Sequence, residues 1–390
     1  MSAFDVIAAG HICFDIIPPF DTSGAHNFHK LLQPGKLVHV GNVVLSTGGS
    51  VSNSGIALSK LGCRVAFMTK VGDDAFGQII IDKMKAWGNI DGIARDAEHG
   101  SSYSIVLAPP GVDRIFLHHT GCNDYFTSAM LNWEVIAGAR IFHLGYPPLM
   151  RSLYTDDGAE LAHILKRVKQ LGVVTSLDMA LPDPNSEAGR MNWQGWLRNV
   201  MPHVDFFMPS IEEMLLLWDR EQWGEFRRHG NGIVDSAPIA LYREIAGGLL
   251  ALGCGAVMLK AGARGIYAKT ADAERLRRIS ILSAPAHQNW ANRELWSAAF
   301  ADENIQSAAG SGDCAVAGFL TALLHAKSLE ETLQFGNCLG WQNLRALDTV
   351  SGVGTLAETE LLLKKLHPVT TPFLDQSWRA TACTGVLERE

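Results

Sequence analysis

Short apolar runs alternating with longer amphipathic stretches constrain this chain more than any other feature. FDVIAA, SNSGIALSKLG, RVAFMTKVG and FGQIIIDKMKAWG follow one another, and the rhythm resumes with ARIFHLG, ELAHILKRVKQLG, VVTSLDM, HVDFFMPS, IALYREIAGGLLALG and AVMLKAG. Apolar runs without a polar alternate are strands covered on both faces, and amphipathic stretches between them are the covering helices. Repeated strand–helix–strand units imply a parallel sheet. The expected fold class is therefore α/β, with helices on both faces of the sheet.

Two stretches break this rhythm. Residues 16–47 and 101–119 read as strands joined by turns with no helix between, which predicts a small β-lid beside the main sheet. Residues 218–236 and 284–306 are polar, carry Trp and lack a clean period, so they read as insertions pinned to the surface by their indoles. The predicted organisation is one domain over residues 1–366 followed by a loosely held tail, 367–390.

Composition narrows the function classes. Hydrophobic residues make up 47% and charged residues 19% of 390, ordinary values for a folded globular chain. A formal net charge of -7 opposes wholesale nucleic-acid binding, which needs a concentrated basic surface. The seven cysteines (13, 63, 122, 254, 314, 338 and 383) are scattered singly, which argues for reduced thiols and against a disulfide framework. No basic segment precedes the first apolar run, and no window has the length of a membrane span, so the expected localisation is cytoplasmic. No His, Cys and carboxylate cluster has metal-ligand spacing, so no tightly bound transition metal is expected.

Two constellations carry chemistry. In STGGSVSNSGIALSKLG, Gly48 and Gly49 end a strand and lead through Asn53 into a helix, letting backbone approach a ligand while Asn53 offers both donor and acceptor. A plain tight turn would read the same way. In AAGSGDCAVAGFLTALL, Gly310, Ser311 and Gly312 open an apolar helix whose free amides and dipole form an anion site, with Asp313 in the first turn. Asp313 is equally consistent with a helix-stabilising acid. Gly310, Gly312 and Ala315 also fit a dinucleotide-binding turn, but ENIQSAA before them is a poor strand. A P-loop is absent.

GGSVSN near the start and GSGD opening a late helix, in this order and at this separation, resemble the ribokinase/PfkB family of carbohydrate kinases. The resemblance extends over residues 4 to about 366 and implies a three-layer α/β/α sandwich with a β-lid. It further implies an ATP- and Mg²⁺-dependent kinase acting on a hydroxyl of a sugar or nucleoside. By that likeness Asp313 is the catalytic base, and the amides of Gly310, Ser311 and Gly312 form the anion hole. Asp15 of GHICFD, Gly48, Gly49 and Asn53 hold the acceptor. Glu213 of MPSIEEM acts on Mg²⁺, although Ser210 replaces the family's Asn, and Lys260, Gly262 and Gly265 of VMLKAGARGIY lie beside the nucleotide. A homodimer through the lid is implied as well.

One departure concerns Ser307 and Ala308, which stand where the family has Asp-Thr and removes the carboxylate of its monovalent-cation site. Weak dependence on K⁺ is expected, with the loop Ser351–Gly354 as a compensating feature. His118 and His119 read as the end of a lid strand. Two rival functions remain at this stage, a dehydrogenase and a catalytically weak sugar- or nucleoside-binding regulator on the same fold.

Overall fold

The computed structural model describes residues 2–20, 33–109, 115–228, 232–302, 304–346 and 348–390. Its centre is an eleven-stranded sheet in the order β14-β15-β13-β12-β11-β10-β9-β8-β1-β4-β5. Seven strands run parallel: β1 (Phe4–Gly10), β4 (Val65–Gly72), β5 (Asn89–Asp96), β8 (Ala139–Gly145), β9 (Val174–Asp178), β10 (Phe206–Phe207) and β11 (Ala256–Lys260). Four antiparallel strands extend one edge: β12 (Ile266–Thr270), β13 (Glu294–Ser297), β14 (Trp378–Ala380) and β15 (Val386–Arg389).

The central strands are apolar on both sides because both sides are covered. Along β1, Val6 and Ala8 enter one hydrophobic cluster while Ile7 and Ala9 enter the other. Helices Ser50–Lys60, Ser311–Leu324 and Leu329–Asn343 pack on the first face; Ala159–Gln170, Trp193–Val200, Ile211–Trp218 and Ile239–Ala251 pack on the second. This is the expected three-layer sandwich.

The segments read from the sequence as strands with turns supply a separate four-stranded sheet, ordered β3-β2-β6-β7. Its members are β2 (Cys13–Ile17), β3 (Val44–Gly48), β6 (Tyr103–Leu107) and β7 (Ile115–His119), the last ending in His118 and His119 as expected. Residues 21–32 and 110–114 of those segments lie outside the described residues.

Three sequence expectations are corrected. Residues 284–306 are not a surface insertion: they form helix Ala284–Trp290 and then β13, inside the main sheet, with Trp290 and Trp296 buried. Residues 218–236 include helices Arg220–Arg228 and Ile233–Ser236, and Trp218 and Trp223 pack against the core instead of merely pinning a loop. The tail is not loosely held, since β15 pairs with β13 and β14 with β15, burying Trp378 and Val386. Among the described residues, no helix is long and apolar enough to cross a membrane.

Trp378→Ala is expected to lower stability by about 3 kcal/mol, the usual loss for removing a buried indole. A shift of the urea unfolding midpoint measures it, and an unchanged midpoint would mean that the C-terminal strands contribute nothing to the fold.

Candidate active site

A parallel sheet gathers the C-terminal ends of its strands on one side, and where neighbouring strands lead away in opposite directions a crevice opens. Here β1 is flanked by β4 and β8, and the chain leaves the ends of β1 and β8 at the paired residues Gly10 and Gly145. His11 and Tyr146 follow directly, and both line a cavity of about 720 Å³. Tyr146 is held at φ 68, with two prolines completing the turn.

Four of the expected acceptor-site residues converge there. Asp15 on β2 is 8% exposed, and a Cβ at Gly48 would lie 2.2 Å from its Oδ2, so glycine is needed on the adjacent strand. Burial pushes the Asp15 carboxyl up to about 6, against hydrogen bonds from Cys13 and Ser104 that favour its charged form. Gly49, at φ 85, starts helix Ser50–Lys60, and a Cβ there would fall 2.6 Å from His11 Nδ1. Asn53, one turn on, donates through Nδ2 to Asp313 Oδ2 at 2.9 Å and leaves its buried Oδ1 without a partner.

Asp313 lies at the junction. Gly310, at φ 72, starts helix Ser311–Leu324, and no side chain caps that first turn, although Ser311 N donates to Ala308 O at 3.3 Å. A Cβ at Gly310 would come 2.4 Å from Thr349 O. Besides Asn53, the Tyr146 hydroxyl donates to Asp313 Oδ2 at 2.7 Å, and Ser54 Oγ donates to Oδ1 at 3.4 Å. Burial raises the Asp313 pKa, while Lys260, Tyr146, Asn53 and Ser54 pull the other way.

Lys260, at the end of β11, donates to both oxygens of Asp178 at 2.8 Å. Burial works against its charge, yet Asp178, Glu213 and Asp313 more than offset that and hold its pKa above the ordinary lysine value. A Cβ at Gly312 would stand 3.3 Å from Lys260 Nζ, so the ammonium lies directly against the amide-rich turn. Glu213 has a structural role too: it forms a capping box with Ser210, accepting from Ser210 N at 2.6 Å. Burial raises its pKa.

The sequence reading did not single out Asp178, Tyr146 or His11. Gly262 and Gly265 lie away from this group, in the turn joining β11 to β12; Gly265, at φ 110, has no room for a Cβ because Ser297 O would be 2.0 Å away. The dinucleotide-turn alternative for Gly310–Ala315 fails, since no strand runs into it through residues 304–308. His11, Cys13 and His118, which have no metal-ligand spacing in the sequence, bring donor atoms within 4.8 Å of one another in the fold.

A buried carboxylate beside a helix start and a lysine, at the strand ends of a doubly covered sheet, sits in an α/β protein of the ribokinase-like fold. Residues 5–353 match the profile described as pfkB family carbohydrate kinase, and the chain belongs to that family. It is similar to fructokinase-2 of Oryza sativa subsp. japonica, 29% identical over 220 residues, covering 54% of this chain and 59% of that one. The chain thus spans about three fifths of the length of that relative. Among solved structures, Arabidopsis thaliana ribokinase complexed with ribose and ATP is similar at TM-score 0.67 and 16% identity, covering 93% of this chain and 99% of that one. Xylella fastidiosa fructokinase with bound ATP is similar at TM-score 0.65 and 16% identity, covering 93% and 98%.

The loop Ser351–Gly354, expected to compensate for Ser307 and Ala308, is already engaged together with Val350. Lys60 Nζ donates to Val350 O at 2.9 Å, Ser351 O at 3.2 Å and Val353 O at 3.1 Å. Lys60→Met is expected to lower stability by about 2 kcal/mol, the scale of hydrogen bonds from a charged donor. Replacing a bulky organic cation by K⁺ at equal ionic strength should move the urea midpoint of this variant but not of the wild type. A wild-type midpoint that rises with K⁺ would show that a further ion site exists.

Proposed function

We propose that this chain is an ATP-dependent kinase that phosphorylates a hydroxyl of an unphosphorylated sugar or related polyol, with Asp313 as the general base. The observation that carries this reading is Asp313 itself: a buried carboxylate in an uncapped first helical turn, hydrogen-bonded to Asn53 and Tyr146 and facing the cavity that also holds Asp15.

Asp15 and the bare Oδ1 of Asn53 accept hydrogen bonds from acceptor hydroxyls and fix which one approaches Asp313. The oxygen of that hydroxyl forms a bond to the γ-phosphorus of ATP as the bond to the bridging oxygen breaks, releasing ADP. Its proton passes to Asp313, whose raised pKa makes it a stronger base than an ordinary carboxylate. The amides from Gly310 to Gly312 and the Lys260 ammonium stabilise negative charge on the transferring group. Gly262 and Gly265 shape the turn against which the nucleotide lies.

Mg²⁺ supplies charge neutralisation on the phosphates when bound. Asp178, Glu213 and Asp313 set three carboxyl groups around the ammonium of Lys260, and burial raises the pKa of all three, so a cation that displaces their protons would fit there, with Glu213 as its holder. Helix-start amides and Lys60 on the 350–353 carbonyls support activity without added K⁺. A change under about threefold on adding K⁺, less than ~1 kcal/mol, is the expected outcome of a rate assay.

The four-stranded sheet is read as a lid over the acceptor. Val43, Val44, Leu45, Phe116 and Leu117 are exposed on it, and a second copy of this chain is the proposed cover.

The described residues lining the cavity include the acids Asp15, Asp124, Asp183, Glu187 and Asp313 and no Lys or Arg. Of these acids only Glu187 has an ion-pair partner among the described residues, Arg151 at 2.7 Å, so a phosphorylated acceptor would meet like charge and free sugars should exceed their phosphates in kcat/KM by more than about tenfold, or ~1.4 kcal/mol. Asp15→Ala should raise the KM for the acceptor at least about tenfold, the loss of a charged hydrogen bond, with ATP affinity unchanged. A preference for the phosphate would reverse the assignment of acceptor class.

Asp313→Asn should lower turnover by a factor on the order of 100 or more with ATP binding retained. In the wild type, activity should fall as pH drops through the raised pKa of Asp313, because protonation removes the base. Tyr146→Phe removes a donor that favours the carboxylate and should move that acid limb to higher pH. Near-normal turnover in Asp313→Asn would remove the assigned role.

A further inference from the structure

The wall of the cavity carries a donor set that the proposed phosphoryl transfer does not require. His11 leaves the end of β1, Cys13 begins β2 and His118 lies near the end of β7; the pairing of β2 with β6 and of β6 with β7 brings them together. One donor atom from each lies within 4.8 Å of the other two, and the two imidazole centroids are 5.1 Å apart. His11 is 1% exposed and Cys13 4%.

These groups are not spent on one another. His11 Nε2 meets Ser102 Oγ at 3.4 Å and His118 Nδ1 meets Ser104 Oγ at 2.9 Å, while among the described residues His11 Nδ1 and His118 Nε2 have no partner. Burial holds both imidazoles below the ordinary histidine pKa, which favours the neutral form that can ligate a metal. The Cys13 thiol donates to Asp15 Oδ1 at 3.3 Å, and Asp15 forms no ion pair among the described residues. Two neutral imidazoles, a thiol and an uncompensated carboxylate in one wall of a cavity form an electron-rich pocket that a cation would complete.

The donor set decides which cation. Nitrogen and sulfur ligands select Zn²⁺ and its relatives over Mg²⁺, which demands oxygen. With bonds of about 2.0 Å to nitrogen and 2.3 Å to sulfur, donors around a tetrahedral ion stand roughly 3.3–3.8 Å apart, so side-chain rotation of about 1 Å closes the site. Three protein ligands leave a fourth position facing the cavity, beside Asp15.

We propose that His11, Cys13 and His118 form a binding site for a single Zn²⁺-type ion in the acceptor wall, and that the ion and the acceptor exclude one another. Coordination replaces the Cys13 S–H bond with an S–metal bond, and the proton leaves by way of Asp15 to solvent; no oxidant or reductant takes part. The exclusion half rests on the kinase reading above, since it uses the acceptor, whereas the binding half stands without any activity.

The full-length protein, freed of metal, is titrated with Co²⁺ and then with Zn²⁺ against a chromophoric chelator. One ion per chain is expected, with a thiolate-to-cobalt charge-transfer band in the near ultraviolet that Zn²⁺ removes. Cys13→Ser should abolish the band, and His118→Gln should weaken Zn²⁺ binding at least tenfold, while Cys63→Ser and Cys383→Ser leave both readouts unchanged. If Cys13→Ser does not fold, His118→Gln decides. No band, a band lost in the Cys63 or Cys383 variant, or unaltered affinity in His118→Gln overturns the site. In the kinase assay Zn²⁺ should compete with the acceptor and not with ATP; inhibition competitive with ATP alone would overturn the placement. A chain that binds one ion through Cys13 yet phosphorylates no sugar would refute the kinase reading and leave the metal site standing.

Discussion

Lys260 is the group on which the arrangement of the site depends. Its ammonium ends β11, bonds both oxygens of Asp178 at the end of β9, and stands within electrostatic reach of Glu213 and Asp313, each in the first turn of a different helix. Burying a carboxylate without a counter-charge costs several kcal/mol, and three of them close together would repel one another besides. The lysine therefore ties two strand ends and two helix starts to one point. Even so, three acids face the one ammonium, and burial raises the pKa of Asp178 to about 8 and raises those of Glu213 and Asp313 as well, so the group eases its mutual repulsion by favouring protonated carboxyls.

That convergence follows from chain direction. Parallel strands end on the same side, so residues at the ends of β1, β8, β9 and β11 meet although they are far apart in sequence. Between β1 and β8 the backbones press together at Gly10 and Gly145: a Cβ on Gly10 would lie 2.5 Å from Gly145 O. The segments leaving these glycines must diverge, one into β2 of the smaller sheet and one through the Tyr146 turn. The cavity is the space their divergence leaves, and Asp313 reaches it from the helix start opposite.

Much of this was legible where the signal is local. The strand–helix rhythm gave the parallel core because side-chain burial repeats within a few residues, and the turns at Gly49 and Gly310 announced helix starts able to face a ligand. Asp178 was hidden because an acid ending VVTSLDM looks like any strand-to-loop boundary; only its pairing with Lys260, 82 residues on, gives it meaning. Tyr146 is defined by a left-handed backbone that LGYPP does not specify. Residues 284–306 were misread because the strand that covers β13 comes from the far C-terminus, which turned a seemingly irregular Trp-rich stretch into sheet. His11 and His118 are brought together only by strand pairing across 107 residues, a distance over which spacing rules carry no information.

The cleft is chemically polar along its length. At one end lies the helix start at Gly310, with the Lys260 ammonium behind it, outside the cavity lining and against Gly312; at the other lie Asp15, the bare Oδ1 of Asn53 and the imidazoles of His11 and His118. On the proposed reading, the first end suits transferring phosphate and the second suits hydroxyl donors. The neutrality of the histidines is what preserves this difference. Protonating either would place a positive charge beside Asp15 and make that end attractive to anions, including the phosphate that belongs at the other. Burial prevents this by disfavouring the imidazolium, and the same burial leaves the lone pairs that would ligate a soft metal ion. On the two proposed readings, selectivity for neutral polyols and zinc binding would share one physical origin, and a substitution that relieves the second is expected to alter the first.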